Sequence, residues 1–184
     1  MKKVWIYGMV WTAATLLALS LAYVSPNERE MMGRLPAVEA YRLGHDQPVS
    51  LPEALPAHRT LALVAFRHSQ KGEVDSWISG LKLQGNAGIA WIRMPVIDDK
   101  GGALRRREVQ ARLEQYYADD ADRASLLSVF TDRAAFVRAT GVTDTDHAVV
   151  LVLDRHGNVL ARAQGPYDAD RAQALLETLR GSDR

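Results

Sequence analysis

Two short polar stretches of this 184-residue chain hold the side chains best suited to chemistry. The first is Arg67-His68-Ser69-Gln70-Lys71, followed closely by Glu73; the second is Thr143-Asp144-Thr145-Asp146-His147. A histidine can move a proton near neutral pH, and lysine or arginine can hold an anion. Ser69 beside His68 could act as a nucleophile only if a third group oriented the histidine, which spacing alone does not establish. The plainer reading is that polar residues solvate loops. His68 and His147 lie far apart in sequence, and no His-x-x-x-His or Cys-x-x-Cys spacing supports them, so no metal site is expected. Nor is there a Gly-x-Ser-x-Gly elbow, a phosphate-cradling glycine loop or a paired-carboxylate signature. Nothing in the sequence calls for a cofactor.

Bulk composition narrows the classes further. Apolar residues make up 47% and charged residues 24%, the balance of a globular domain. The formal net charge is +1 and no zinc-finger or RNA-binding motif is present, so nucleic acid is not an expected partner. There is no cysteine, which removes both disulfides and thiol catalysis.

After Met1-Lys2-Lys3 comes Val4 to Val24, 21 residues without a charge. At about 1.5 Å per residue this run just crosses a hydrocarbon core of about 30 Å. The two lysines should stay in the cytoplasm and send the rest outward, and Trp5, Tyr7 and Tyr23 suit the interfacial belt. An uncleaved signal anchor and a cleaved signal peptide are both open, since Ala18-Leu19-Ser20 and Ser20-Leu21-Ala22 offer small-x-small cleavage sites. Either implies export to the periplasm, the anchor as a single-pass protein of the cytoplasmic membrane. Pro26, Pro36, Pro48, Pro52 and Pro56 crowd the next stretch, which reads as a tether over 25–43 with a short helix from Glu28 to Met32.

The elements that must carry the polar loops follow in alternation. Thr60 to Phe66 is a continuous apolar run, the mark of a strand covered on both faces. Val74, Trp77, Ile78 and Leu81 form one helical stripe. Gly88 to Pro95 reads as a strand and Ala103 to Tyr117 as a helix; Ser125 to Phe130 is a further strand. Ala134 to Thr140 is a short helix capped by Thr131 or Asp132 and closed by Gly141. Ala148 to Asp154 is the most apolar strand, and Arg155-His156-Gly157-Asn158 turns it into a hairpin with Val159 onward. Asp168 caps a last helix with Ala172, Leu175, Leu176 and Leu179 inside. Such alternation implies an α/β sandwich with a mixed sheet.

That order, together with GHDQPVSLPEAL (residues 44–55) as opening hairpin and VLVLDRHGNVLARAQG (residues 150–165) as closing hairpin, resembles the thioredoxin-like superfamily. It is most similar to the branch of peroxiredoxins and membrane-tethered thiol-disulfide proteins. The resemblance implies a three-layer α/β sandwich over 44–184, preceded by the hydrophobic helix. It also places the redox Cys-x-x-Cys motif on Lys71-Gly72-Glu73-Val74, where a helix N-terminus would favour a thiolate. The cis-proline of the superfamily falls on Ala148, after His147, and a cis bond before alanine would cost about 2.5–4 kcal/mol, so a trans bond is expected. Both features of thiol exchange are replaced, so thiol-disulfide oxidoreductase and peroxidase activities are excluded.

On this reading the two polar loops converge at the carboxyl ends of the central strands, a favoured place for ligands. Arg67, His68, Ser69, Lys71, Glu73, Asp146, His147 and Ala148 then line the vacated groove. The expected function is a non-redox domain binding a protein or peptide there in an assembly or scaffold role. The alternative is a hydrolase or a small-ligand-binding protein using the same loop; a solute-binding module would need a sizeable apolar pocket beside it. Elsewhere, Arg105, Arg106, Arg107 and Arg112 are expected to pair with Glu108 and Glu114 along one helix. Trp77 and Trp91 are expected in the core, with only one of Tyr116 and Tyr117 facing inward. His45, His58 and His156 read as surface residues.

Overall fold

The structure, a computed structural model, describes residues 32–45, 47–117 and 123–181. The expectations for Val4 to Val24 and for the helix beginning at Glu28 lie outside the described residues. Among the described residues no helix is long and apolar enough to cross a membrane.

The elements run β1 (Val38–Arg42), β2 (Pro48–Leu51), β3 (Arg59–Ala65), a 3-10 turn (His68–Gln70) leading into α1 (Lys71–Gly80), β4 (Trp91–Asp98), α2 (Gly102–Tyr116), β5 (Leu127–Thr131), α3 (Arg133–Thr140), β6 (Val149–Asp154), β7 (Val159–Gln164) and α4 (Ala169–Arg180). One seven-stranded sheet has the order β2-β1-β5-β4-β3-β6-β7. β3, β4 and β5 run parallel, while β1, β6 and β7 join antiparallel to their neighbours. The central strands are mostly apolar because both sheet faces are covered, with Arg93 in β4 and Ser128 in β5 among the buried exceptions. On one face Leu61, Leu63, Val150 and Val152 pack against Val74, Trp77 and Ile78 of α1 and Ala172 and Leu175 of α4. On the other, Ala62, Val64, Val149 and Leu151 pack against Phe136 of α3 and against Leu35 and Leu51. The result is the expected three-layer sandwich.

The helix signals act as read. Asp132 accepts from the Ala135 N–H at 3.0 Å and Asp168 from the Arg171 N–H at 2.9 Å. Gly141 ends α3 in the left-handed region at φ 68°. Trp77 is fully buried, and its indole N–H donates to the Gly165 carbonyl at 2.8 Å.

Several expectations need correction. The stretch read as tether up to residue 43 enters the sheet, since β1 lies between β2 and β5 and Leu35 is buried. β4 starts at Trp91 and not at Gly88, whose N–H is taken by the Asn86 side chain in the preceding turn. It continues through Pro95, and the pairing with β5 is interrupted there, between Arg93–Leu126 and Val96–Val129, because proline has no N–H to give. Trp91 is only half-buried. Leu104 is 77% exposed, so the apolar stripe of α2 begins later. Arg106 pairs with Asp99 in the loop before α2, and Glu114 accepts from the Gly44 N–H, in place of the expected pairing along the helix.

Candidate functional site

The site is assembled where β3 ends and α1 begins. Its anchor is Gln70, a residue that the sequence leaves undistinguished among loop polars. The side chain is buried, and its oxygen accepts from the N–H groups of Phe66 at 2.7 Å and Arg67 at 3.1 Å. Its amide nitrogen donates to the Thr145 carbonyl at 2.8 Å, which ties the first polar loop to the second. A buried amide whose oxygen and nitrogen both find partners offsets its desolvation and fixes both loops. On the surface Arg67 meets Asp146 at 2.8 Å, an exposed pair that adds little stability.

Beyond Gln70 the first turn of α1 splits its side chains between two places. Glu73 turns toward the loop before β6, where its carboxylate accepts from the Ala148 N–H at 2.7 Å and meets His147 Nδ1 at 2.9 Å. The hydrogen bond from His147 to Glu73, with the attraction of that carboxylate, raises the imidazole pKa above its usual 6.5. The carbonyl of Ala148 is also occupied, accepting from the Gly165 N–H at 2.9 Å. The only cis peptide among the described residues joins Leu51 to Pro52, so the bond before Ala148 is trans, as expected.

Lys71 and Val74 turn the other way, into a cavity of about 450 Å³ between α1, α2 and the ends of β3 and β4. Leu63, Ala65, Phe66, Val74, Pro95, Val96, Ile97, Val109 and Leu113 give it apolar walls, and Tyr116 and Tyr117 close one side. Both tyrosines reach it, against expectation, because Tyr117 leaves the helix at φ −104° and ψ 81° and so escapes the helical spacing. His68 stands at the rim, edge-on to Tyr116 with ring centroids 4.5 Å apart.

Apart from His68 and the two tyrosine hydroxyls, the polar side chains of this cavity are cations. Lys71 donates to Asp75 at 2.5 Å and lies 5.7 Å from the centre of the Tyr116 ring. That hydrogen bond raises the lysine pKa above 10.5, so the group is charged at any physiological pH. Arg93 is 4% exposed; it reaches the same Asp75 at 3.2 Å and stacks 5.4 Å from the Tyr117 ring. Burial pushes the Tyr117 hydroxyl pKa upward, which keeps it neutral. Arg67 and Arg112 complete the set of cations on the lining, which includes no carboxylate.

The structure thus divides the residues singled out from the sequence. Arg67, His68 and Lys71 line the cavity; Glu73, Asp146, His147 and Ala148 form the clasp beside it. Ser69 is exposed and lies outside both. The histidines have separate neighbours, Tyr116 for His68 and Glu73 for His147, so they do not make a shared acid–base pair. Among the described residues no three His, Asp or Glu side chains come together as a metal site would require. Arg93, Asp75, Gln70, Val109 and Leu113 are the residues that sequence reasoning missed. A buried arginine in an apolar strand was the one available signal, since such a charge demands a partner.

No protein-family model matches the chain, and no curated protein matches it in sequence. Solved structures do. A candidate electron transfer protein from Aquifex aeolicus VF5 is 15% identical, with a TM-score of 0.57 over 84% of this chain and 97% of its own. BsSco, of the Sco family of cytochrome c oxidase assembly proteins, is 12% identical, with a TM-score of 0.53 over 79% of this chain and 91% of its own. The exposed lipoprotein thioredoxin Etrx1 of Streptococcus pneumoniae TIGR4 is 12% identical, with a TM-score of 0.50 over 77% and 99%. At these identities the likeness is one of fold: the chain has a thioredoxin-like fold, and it has no cysteine.

Proposed function

We propose that this chain is a non-redox binding domain of thioredoxin-like fold, whose ligand is a small molecule held in the cavity between α1 and α2. The observation that carries the proposal is the cavity itself. Some 450 Å³ of largely apolar space with a few polar groups on its wall is the form that small-ligand sites take. Hydrolysis is less well supported, because Ser69 is outside the cavity and His68 has an aromatic neighbour in place of an orienting acid. A peptide lying along the vacated groove would need the backbone of residue 148, and both its N–H and its carbonyl are taken within the chain. A protein client in an assembly or scaffold role would therefore not pair with the backbone at residue 148. Export and anchoring by Val4 to Val24 belong to the same proposal, supported by the uncharged run behind Lys2 and Lys3.

The cavity is tested with the neutral dye N-phenylnaphthylamine, added to the full chain in zwitterionic nanodiscs. Leu113→Trp and Val109→Phe fill the cavity, and their signal gives the lipid background. Saturable fluorescence above that background in the wild type is the expected result. Equal signals from all three, with near-UV circular dichroism unchanged, would overturn the proposal. A C-terminal alkaline phosphatase fusion should be active if the domain is exported, and inactivity would refute that part.

A further inference from the structure

The charges on the wall say which small molecules the cavity favours. The lining carries Arg67, Lys71, Arg93 and Arg112 and no carboxylate, while Asp75, which is not on the lining, meets Lys71 and the buried Arg93. Arg112, at the opposite wall on α2, has no carboxylate partner among the described residues. Positive charge thus faces a space whose remaining walls are aliphatic and aromatic, so the complement is a molecule with one anionic end and an apolar body. The tyrosine rings suit the same ligand: Tyr116 and Tyr117 already hold Lys71 and Arg93 against their faces, which keeps both cations turned inward.

We propose that the cavity selects an amphipathic carboxylate, its head between Lys71 and Arg112 and its apolar chain along the wall formed by α2 and the ends of β3 and β4. This rests on the binding function proposed above and adds the class of ligand. Guanidinium supplies a planar fork of donors for a carboxylate, and the lysine ammonium supplies a second point of charge. Asp119, Asp120 and Asp122 follow Tyr117 in the sequence and lie outside the described residues, so their net effect is read by the same experiment.

The experiment displaces N-phenylnaphthylamine from the full chain in zwitterionic nanodiscs with decanoate and, in parallel, with decanol. Decanoate should displace the dye at a concentration lower by about tenfold or more, the factor that one charge-assisted hydrogen bond supplies. Lys71→Met combined with Arg112→Met should bring the two curves together, each referred to the variant's own dye affinity. Raising the salt concentration should narrow the gap in the wild type only. If the dye binds and decanol competes as well as decanoate, the carboxylate inference fails and the binding function stands. If the dye does not bind above the level of the filled variants, the binding function fails first. Selectivity that survives the double substitution would assign it to other groups and overturn the roles given to Lys71 and Arg112. Arg112→Met alone, on an exposed stretch of α2, guards against loss of fold in the double variant.

Discussion

Glu73→Ala tests the clasp between α1 and the loop before β6. Glu73 is the acceptor for the N–H of Ala148, a residue that is 1% exposed, so removing it strands a donor where water has little access. A buried donor left unpaired costs about 1–3 kcal/mol. For a chain of this length a loss of about 2 kcal/mol lowers Tm by about 4–8 °C. Glu73→Gln keeps an amide oxygen for the Ala148 N–H and removes only the charge, so it should lose much less. The ion pair with His147 adds a pH dependence, because the histidine keeps its proton more tightly in the folded chain than at the ordinary 6.5. A raised folded pKa means stabilisation that is complete below pH 6.5 and disappears as pH rises through the higher folded value. Thermal unfolding followed by near-UV circular dichroism at several pH values, together with NMR titration of His147, measures both effects. Glu73→Gln should return the histidine titration toward 6.5 and flatten that part of the stability profile. Equal losses from Glu73→Ala and Glu73→Gln would refute the backbone clasp, and an unshifted His147 in the wild type would refute the ion pair.

Other substitutions probe the frame that holds the site. Trp77→Phe removes the donor to Gly165 and leaves space in the core, and should cost about 2–4 kcal/mol by urea unfolding. Gly141→Ala places a Cβ at a φ of +68° and 2.0 Å from the Met32 carbonyl oxygen, so backbone must move. It should lose clearly more stability than Gly44→Ala, which has φ +76° but nothing within 4 Å; left-handed strain alone costs about 1–2 kcal/mol. Asp99 is held below the usual 3.8 by its hydrogen bond to Arg106, so its contribution is present above that pH and fades as pH falls through the lower folded value. Asp99→Asn should flatten the acid side of the stability profile, and an unchanged acid limb would count against the pair.

How far the sequence reveals this molecule depends on the range of the interactions involved. β3 and β6 are legible because strands covered on both faces read as nearly continuous apolar runs, whatever their neighbours. Asp132, Asp168 and Gly141 are legible because caps act within a few residues. β1 is not: its burial alternates weakly, it lies among prolines, and it is held by pairing with β5, far away in the chain. Gln70 reads as a loop polar, since its partners are backbone groups of two separate loops. The cavity is hidden for the same reason. Its far wall is Val109, Leu113 and Tyr116 on a helix with no buried residue, a face too sparse to announce itself. Arg93 gives a sign in the sequence, a charge inside an apolar strand, but its partner Asp75 becomes visible only once α1 is laid across the sheet.

The first turn of α1 also explains why one short segment can serve two purposes. Successive helical residues are rotated by about 100°, so positions three apart share a face and the residue between them points elsewhere. Lys71 and Val74 therefore line the cavity together, while Glu73 reaches the loop before β6. The positive end of a helix favours negative charge within its first turn. The charge that preference meets here is the Glu73 carboxylate. Because the two faces have separate partners, their effects should be independent. Glu73→Gln and Lys71→Met, measured singly and together by unfolding, should show a coupling below about 0.5 kcal/mol, the lower end of what residues in contact show. A larger coupling would mean that clasp and cavity act as one unit, and the separation argued from the helix geometry would be wrong.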